Sequence, residues 1–387
     1  MTGEEARARI DALRAELGEA DRSLVEALGR RNRIVETIAA VKQESNAELR
    51  DRVRERAVLD SVEAVARNER LDPHFVARLF REIIDHSIRR QQARLLTGRL
   101  DDDRTILVAY TGTEGAYGHQ AALRHYSPWH EHTAYRAFPT FRQMMQAVRS
   151  RDVDYGVLPI ENTTAGSINE AYDLLTTLDL SLVGEEVQPI DHCLIGITDT
   201  PLKEIRRIYS HPSALAQCSE FLAKMPWATA EEFGNTALAV RKIAEEGNAT
   251  YAAIASEVAA RINGLPVLAR DIANQRDNFT RFVIVADQPM EWDLRVPCKT
   301  SVMFVTRHEK GALVACLNVL VEHDLNLTKI ESRPRPGTPW EYQFYVDFEG
   351  NASHPRVQEA LRDLATRAFF LKVFGSYPAR TTAESRV

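Results

Sequence analysis

The chain is poor in the features that mark secreted, membrane-spanning or nucleic-acid-binding proteins. Its four cysteines, Cys193, Cys218, Cys298 and Cys316, lie far apart with no C-x-x-C pair. That spacing supports neither a disulfide framework nor a zinc site, and it points to a reducing cytoplasm. No long uncharged apolar run occurs, and the start, Met-Thr-Gly-Glu-Glu-Ala-Arg, carries acid early, so neither a membrane span nor an export signal is expected. Basic charge is not in excess: the formal net charge is -6, which argues against nucleic acid or an anionic membrane as partner. Glycine and proline are scarce at first, with two glycines and one proline between residues 4 and 96, so that region reads as helical throughout.

What is present is a chain of 387 residues, 44% hydrophobic and 27% charged, too long for one ordinary core and suited to two to four domains. Ile10, Leu17, Leu24, Arg31 and Ile38 recur at heptad spacing beside Leu13, Ala20, Ala27, Ile34 and Val41. That is one very long helix with a coiled-coil-like seam. Arg31 interrupts the seam, and Lys42 follows eleven residues later on nearly the same face. A second helix is expected from about Asp51 to Asn68 and a third after Asp72-Pro73, where Ser87 and Gln91 continue an inward stripe of Val76, Phe80, Ile83, Ile84 and Ile88. Polar and charged groups facing inward are costly unless something pairs with them, so a dianionic ligand is expected there. A helix this long cannot bury its seam in a hundred-residue monomer, so an intertwined dimer is expected too.

After Asp101-Asp102-Asp103-Arg104 the pattern changes to alternating strands and helices. Apolar strands are expected at 105–110, 155–160, 180–187, 193–196, 207–210, 252–255 and 282–286, which reads as two small α/β lobes with ligand sites beyond the strand ends. The stretch around which the chain is organised is Gly156-Val-Leu-Pro-Ile-Glu161-Asn162-Thr163-Thr164-Ala-Gly-Ser167-Ile-Asn169, where a strand delivers a carboxylate, an amide and hydroxyls toward a helix start. That chemistry suits a small polar anion. Residues 291–297 read as a linker. Beyond it, the order strand, helix, strand, strand, helix, strand over 300–376 is the split ferredoxin-like arrangement.

The first region resembles the all-helical chorismate mutases through Leu13-Arg14, Asp21, Arg31, Lys42, the run Asp51-Arg-Val-Arg54-Glu55-Arg56, and Ile83-Ile-Asp-His-Ser87 with Gln91-Gln92. The resemblance implies that Arg14, reaching in from a partner chain, Arg31 and Arg54 hold substrate carboxylates. It implies further that Lys42 and Gln91 bond the ether oxygen, that Glu55 meets the ring hydroxyl, and that Asp51 and Ser87 support the site. The middle region resembles prephenate dehydratase through the opening stretch, Asp191-His192-Cys193-Leu194, Ser210-His211-Pro212 with Gln217, Asn235-Thr236-Ala237, and Asn278-Phe279-Thr280-Arg281-Phe282. There Thr280 is implied to assist departure of the ring hydroxyl, with Asn162, Ser210 and Gln217 lining the pocket and Arg281 as a carboxylate partner. Gly118 and Gly234 depart from that family's pattern by removing a serine and an acid.

The last region resembles the phenylalanine-binding ACT domain through Gly311-Ala312-Leu313-Val314 and Asn326-Leu-Thr-Lys-Ile-Glu331-Ser332-Arg-Pro334. The expected architecture is therefore multidomain. Residues 1–100 form an all-α chorismate mutase as an intertwined dimer, and 104–288 a two-lobed α/β dehydratase. Residues 298–378 form an α+β ferredoxin-like ACT domain, and 379–387 a tail. The expected function is that of a cytoplasmic bifunctional enzyme of phenylalanine biosynthesis. Chorismate and prephenate are its substrates, L-phenylalanine its effector, and no cofactor or metal is expected; it assembles as a dimer or higher oligomer. Three other readings stay open: a lobe that decarboxylates prephenate without aromatisation, a lobe that only regulates, and a solute-binding protein.

Overall fold

The structure, a computed structural model, describes residues 3–44, 52–97, 104–275, 277–335, 337–338 and 340–380. It divides into two compact units, Met1–Asp102 and Asp103–Val387.

In the first unit the heptad-bearing segment is a single helix, α1 (Gly3–Glu44), of 42 residues and hence about 63 Å at the helical rise. It is followed by α2 (Arg52–Asn68) and α3 (Pro73–Thr97). Ala66, Ala77 and Ile84 are buried where α2 and α3 pack. Most of the α1 seam is not covered within the chain: Leu17 is 62% and Leu24 65% exposed. An apolar stripe of that length on one monomer is what a second helix would cover.

The second unit begins with a lobe of β1 (Ile106–Thr111), α4 (Tyr117–His125), β2 (Thr133–Phe138), α5 (Phe141–Arg149), β3 (Tyr155–Asn162), β4 (Gly166–Ser167), α6 (Asn169–Thr177) and β5 (Ser181–Pro189). The chain then crosses to a second lobe of β6 (Cys193–Gly196), β7 (Arg207–Ser210), α7 (Pro212–Gln217), α8 (Ser219–Ala223), β8 (Thr229–Glu232), α9 (Thr236–Glu246), β9 (Tyr251–Ala255), α10 (Glu257–Ile262) and β10 (Val267–Ala269). It returns to the first lobe as β11 (Phe279–Ala286). The sheets run β2-β1-β3-β11-β5, with β4 on β3, and β10-β6-β9-β7-β8. The outgoing and returning crossovers are bonded to each other, Ile190 N–H to the Asn278 carbonyl at 2.9 Å and Ile272 N–H to that of His192 at 3.2 Å. They form a double-stranded waist between the lobes.

The carboxyl-terminal part comprises β12 (Cys298–Val305), α11 (Ala312–Glu322), β13 (Leu327–Pro334), β14 (Tyr342–Glu349), α12 (Pro355–Arg367) and β15 (Phe370–Pro378), with sheet order β13-β14-β12-β15. Its helices cover one face of the sheet through Val302, Phe304, Val346 and Phe348. The other face is not solvent. Met303, Val305, Tyr345, Phe374 and Tyr377 share one core with Leu158, Ile160, Leu182, Val283 and Val285 of the first lobe. Every residue of β12 is consequently buried. The segment read as a linker is packed as well, with Trp292 and Val296 buried and the Asn351 amide donating to the Trp292 carbonyl at 3.1 Å. Composition marks a seam there, but the folded chain has a continuous core across it.

Gly375 is the closest point of that junction. Its φ is +141°, and a β-carbon placed on it would lie 2.5 Å from the Leu182 carbonyl oxygen. Backbone on both sides leaves nothing that can rotate away. Gly375→Ala is expected to destabilise this unit by about 2 to 4 kcal/mol, read as a lowered thermal unfolding midpoint; an unchanged midpoint would contradict the close packing described.

Candidate functional site

In the helical unit, Arg31 and Ser87 meet. Arg31 Nη1 donates to Ser87 Oγ at 2.5 Å, and Ser87 Oγ donates back to the Ile83 carbonyl at 2.8 Å, joining α1 to α3. Ser87 is buried, and partial burial pulls the Arg31 guanidinium below its ordinary value. Lys42, Glu55 and Gln91 are half-buried, while Arg54 is exposed. Arg14 is exposed and paired with Asp11 one turn earlier at 3.2 Å. Asp51 lies outside the described residues.

In the second unit the antiparallel register sets Thr280 of β11 opposite Asn162 of β3. Asn162 Nδ2 donates to Thr280 Oγ1 at 3.0 Å, to Asn278 Oδ1 at 2.8 Å and to the Phe279 carbonyl at 3.0 Å. Its Oδ1 accepts from the N–H groups of Thr164 and Ala165, at 3.0 and 2.8 Å, and from Thr164 Oγ1 at 2.7 Å. Donors surround one end of the amide and acceptors the other, so its orientation is fixed. Thr280 Oγ1 spends a lone pair on Asn162 and keeps its own proton to donate.

The second lobe closes this network through Gln217. Its Nε2 donates to Thr164 Oγ1 at 2.7 Å, and its Oε1 accepts from Asn278 Nδ2 at 3.0 Å. With Oε1 an acceptor, the His192 Nε2 that lies 2.8 Å away carries a hydrogen. Burial lowers the His192 pKa against the opposing pull of that bond, so the ring is neutral and Nδ1 bears the lone pair, 3.2 Å from Tyr117 Oη. Tyr117 Oη also lies 2.8 Å from the Asp191 carbonyl, so its single hydroxyl proton is shared between two acceptors. A chain of hydrogen bonds thus runs from Thr280 across the waist to the start of α4.

Of the residues expected in this cleft, Asn162, Gln217 and Thr280 come together. Ser210 does not join them: it is wholly buried and donates to the Ile254 carbonyl at 2.6 Å, tying β7 to β9. Arg281 is a correction. Consecutive strand residues point to opposite faces, so with Thr280 toward the cleft Arg281 turns to the carboxyl-terminal sheet. There its Nε donates to Glu185 at 2.7 Å and its Nη1 lies 2.7 Å from Asp347. The same alternation splits the organising stretch: Asn162 and Thr164 face the cleft, whereas Glu161 pairs with Lys329 and Ser167 with Glu331. The carboxylate expected among the anion-site groups is therefore on the far side of the sheet.

Thr164, Asn278, His192 and Tyr117 join the network without having been singled out in the sequence. The first three lie inside motifs already quoted, where spacing carried no sign of which face each would take, and Tyr117 lies outside those motifs.

In the carboxyl-terminal part, Gly311 adopts a left-handed φ of +81° at the start of α11, with Ala312, Leu313 and Val314 in the first turn. Asn326 lies past the other end of that helix, about 16 Å away by helical rise. Ser332 is exposed on β13, while the neighbouring Glu331 faces Ser167 instead. One chain does not bring the whole expected effector set together.

Comparison with known proteins agrees with this division. The prephenate dehydratase family model matches residues 108–290 and the chorismate mutase type II model residues 13–92. The bifunctional chorismate mutase/prephenate dehydratase of Escherichia coli K12 is 38% identical over 370 residues, covering 95% of this chain and 96% of its own. Among solved structures, a prephenate dehydratase of Arthrobacter aurescens in complex with L-Phe is 28% identical with a TM-score of 0.65, covering 71% of this chain and 90% of its own. GqqA, described as a quorum quenching acylase, is 30% identical with a TM-score of 0.64 over 72% of this chain and 100% of its own. Matched across both catalytic regions and nearly end to end, the chain belongs to the bifunctional chorismate mutase/prephenate dehydratase family.

Proposed function

We propose that the helical unit rearranges chorismate to prephenate, that the cleft of the second unit converts prephenate to phenylpyruvate, and that L-phenylalanine feeds back through the carboxyl-terminal part, an ACT-type domain. The observation that carries the dehydratase assignment is Thr280 held by the Asn162 amide with its proton free to donate. As the carbon–carboxylate bond of prephenate breaks and carbon dioxide is released, its electron pair enters the ring and expels the hydroxyl, which takes a proton from solvent and leaves as water. A threonine hydroxyl is a weak acid, so its role is to hydrogen-bond the departing oxygen, with polarisation from Asn162 behind it. The aromatic ring that forms supplies the driving force.

Neither Gly118 nor Gly234 weakens this reading. A β-carbon at 118 would rest 3.4 Å from the Thr111 carbonyl, and one at 234 would meet Leu238 at 3.6 Å, so crowding does not impose either glycine. The Thr280 network closes through Asn162 and Gln217 without a group from either position. An acyl-transfer chemistry like that named for the acylase relative is not favoured, because the His192 ring is bonded to Gln217 and Tyr117 rather than to Thr280.

For the mutase, catalysis consists of holding the folded diaxial conformer and stabilising charge on the breaking ether bond. Arg14, Arg31 and Arg54 take the carboxylates, Lys42 and Gln91 the ether oxygen and Glu55 the ring hydroxyl, with Asp51 and Ser87 in support. Arg14 and Arg31 stand seventeen positions apart on one straight helix, about 26 Å, too far to grip one small dianion. Their joint use requires Arg14 of a second chain, and the exposed α1 seam supports such an intertwined dimer. The effector site has the same logic. Gly311 through Val314 offer helix-start N–H groups to a carboxylate, and Asn326 and Ser332 of another chain complete it. The four cysteines are free and buried, which suits the cytoplasm.

Separate sites predict separable losses. Arg31→Ala is expected to remove mutase turnover and leave prephenate consumption nearly intact, and Thr280→Ala to do the reverse, measured on folded protein with each substrate in turn. Loss of both activities in either variant would contradict independent sites.

A second contrast tests the cleft itself. Gln217→Ala is expected to lower dehydration at least about tenfold, roughly 1.4 kcal/mol in the barrier. Ser210→Ala should spare turnover and cost about 1 kcal/mol of stability. The opposite ranking would return Ser210 to the substrate and remove Gln217 from it.

A further inference from the structure

Behind the cleft lies a group of six acidic and basic side chains, three of each kind, buried at its centre and half-buried at Glu161 and Lys329. Arg281, Glu185 and Glu161 come from the first lobe, and Lys299, Lys329 and Asp347 from the carboxyl-terminal sheet. Arg281 is the hub. Its Nε donates to Glu185 at 2.7 Å, its Nη2 to Tyr377 Oη at 2.9 Å, and its Nη1 lies 2.7 Å from Asp347 and 3.7 Å from Glu161. Lys299 Nζ stands 3.4 Å from Glu185, and Lys329 closes on Glu161. Ser301 Oγ donates to Asp347 at 2.5 Å, which ties the sheet's own hydroxyl into the group. Burial works against the Arg281 charge, but Asp347 and Glu185 outweigh it and hold the guanidinium well above its ordinary value.

Among these six, the lobe contributes one more acid than base and the sheet one more base than acid, so docking brings complementary sets together. Adhesion alone does not need this arrangement. The surrounding side chains Met303, Val305 and Phe374 are apolar, and ions taken from water cost several kcal/mol each before pairing returns it. What ions add is sensitivity to geometry, since a displaced partner leaves a buried charge uncompensated.

The register gives that sensitivity a direction. On the same two strands Thr280 pairs with Asn162 and the next pair is Arg281 with Glu161. The hydroxyl and amide of the cleft and the hub of the charge group therefore occupy successive residues on opposite faces, about 3.4 Å apart along the strand. A peptide plane joins each pair, so the hub cannot shift without moving Thr280. A cavity of about 20 Å³ beside the group, bounded by Arg281, Lys329 and Asp347, has room for a water molecule and not for an amino acid. An effector reaches this point only through movement of the sheet.

We propose that Arg281 and Glu161 are positioning residues for dehydration, and that the charge group they share with Lys329 and Asp347 is the joint through which the carboxyl-terminal domain sets the Thr280–Asn162 geometry. The proposal rests on the assignment of the cleft as the dehydratase site. Docked, the joint holds the hydroxyl against the leaving group; a sheet displaced by its effector pulls Arg281 and slackens the pair.

The test uses the full chain with substitutions on the sheet side, away from substrate. Asp347→Asn and Lys329→Met are compared with Arg333→Gln, which breaks the 2.8 Å pair to Asp173 across the same boundary but off the strand pair. The expected result is a fall in dehydration kcat of at least tenfold for the first two, with KM within about threefold and chorismate rearrangement unchanged. Arg333→Gln should stay within twofold. Hydrogen exchange of the Phe279–Ala286 amides should rise in the first two variants and not in the control. Asp347→Asn combined with Glu161→Gln should lose less than the product of the single effects, because both act through Arg281. Equal kcat and equal exchange in all three single variants would overturn the proposal, as would strict multiplicativity in the double variant. Should Asp347→Asn fail to fold, Lys329→Met at the half-buried rim decides the matter. Unaltered protein that does not dehydrate prephenate would sink the functional assignment alone, and the exchange comparison would still judge the joint.

Discussion

The antiparallel pairing of β3 and β11 is the constraint on which the second unit depends. It places Thr280 against Asn162, and because strand side chains alternate it must at the same time place Arg281 against Glu161 on the reverse face. One pairing therefore builds two sites of different character. The cleft face is neutral, made of amides, hydroxyls and an uncharged imidazole whose donors and acceptors close on one another. The rear face is ionic and spans the junction to the carboxyl-terminal sheet. A slip of one residue in register would exchange the two sets and destroy both.

This explains which parts of the sequence were legible. The strand at Gly156–Asn162, the helical first hundred residues and the later β-α-β-β-α-β order follow from apolar periodicity and turn residues, which report directly on local structure. Thr280 and Asn162 could be chosen from their motifs. Arg281 could not be placed, because a motif gives adjacency along the chain while function depends on which face each neighbour takes. Glu161 takes the far face for that reason, and Ser210 stands apart because a hydroxyl at a strand end serves a backbone carbonyl as readily as a substrate. Contributions from distant elements, such as His192 to Gln217 and Tyr117 to His192, had no local signal.

Distance along helices limits the other two sites in a similar way. Arg14 and Arg31 lie on one helix, whose rise sets them about 26 Å apart, and Gly311 and Asn326 stand at opposite ends of α11. In both cases helix length keeps apart, within one chain, residues that the motifs group together. The junction between the lobe and the carboxyl-terminal sheet runs the other way: the regions on either side of a stretch that composition marks as a linker share one continuous core. Truncation there would strip apolar surface from the first lobe as well as remove the carboxyl-terminal sheet.

Dehydration at this site requires that an amide-held threonine hydrogen-bond the departing hydroxyl without a serine at 118 or a carboxylate at 234. Its most direct test is the product formed when purified full-length protein is left with chorismate until conversion stops. Phenylpyruvate with release of carbon dioxide is the predicted end point. Prephenate that accumulates unchanged, or a decarboxylated acid that is not aromatic, would contradict it.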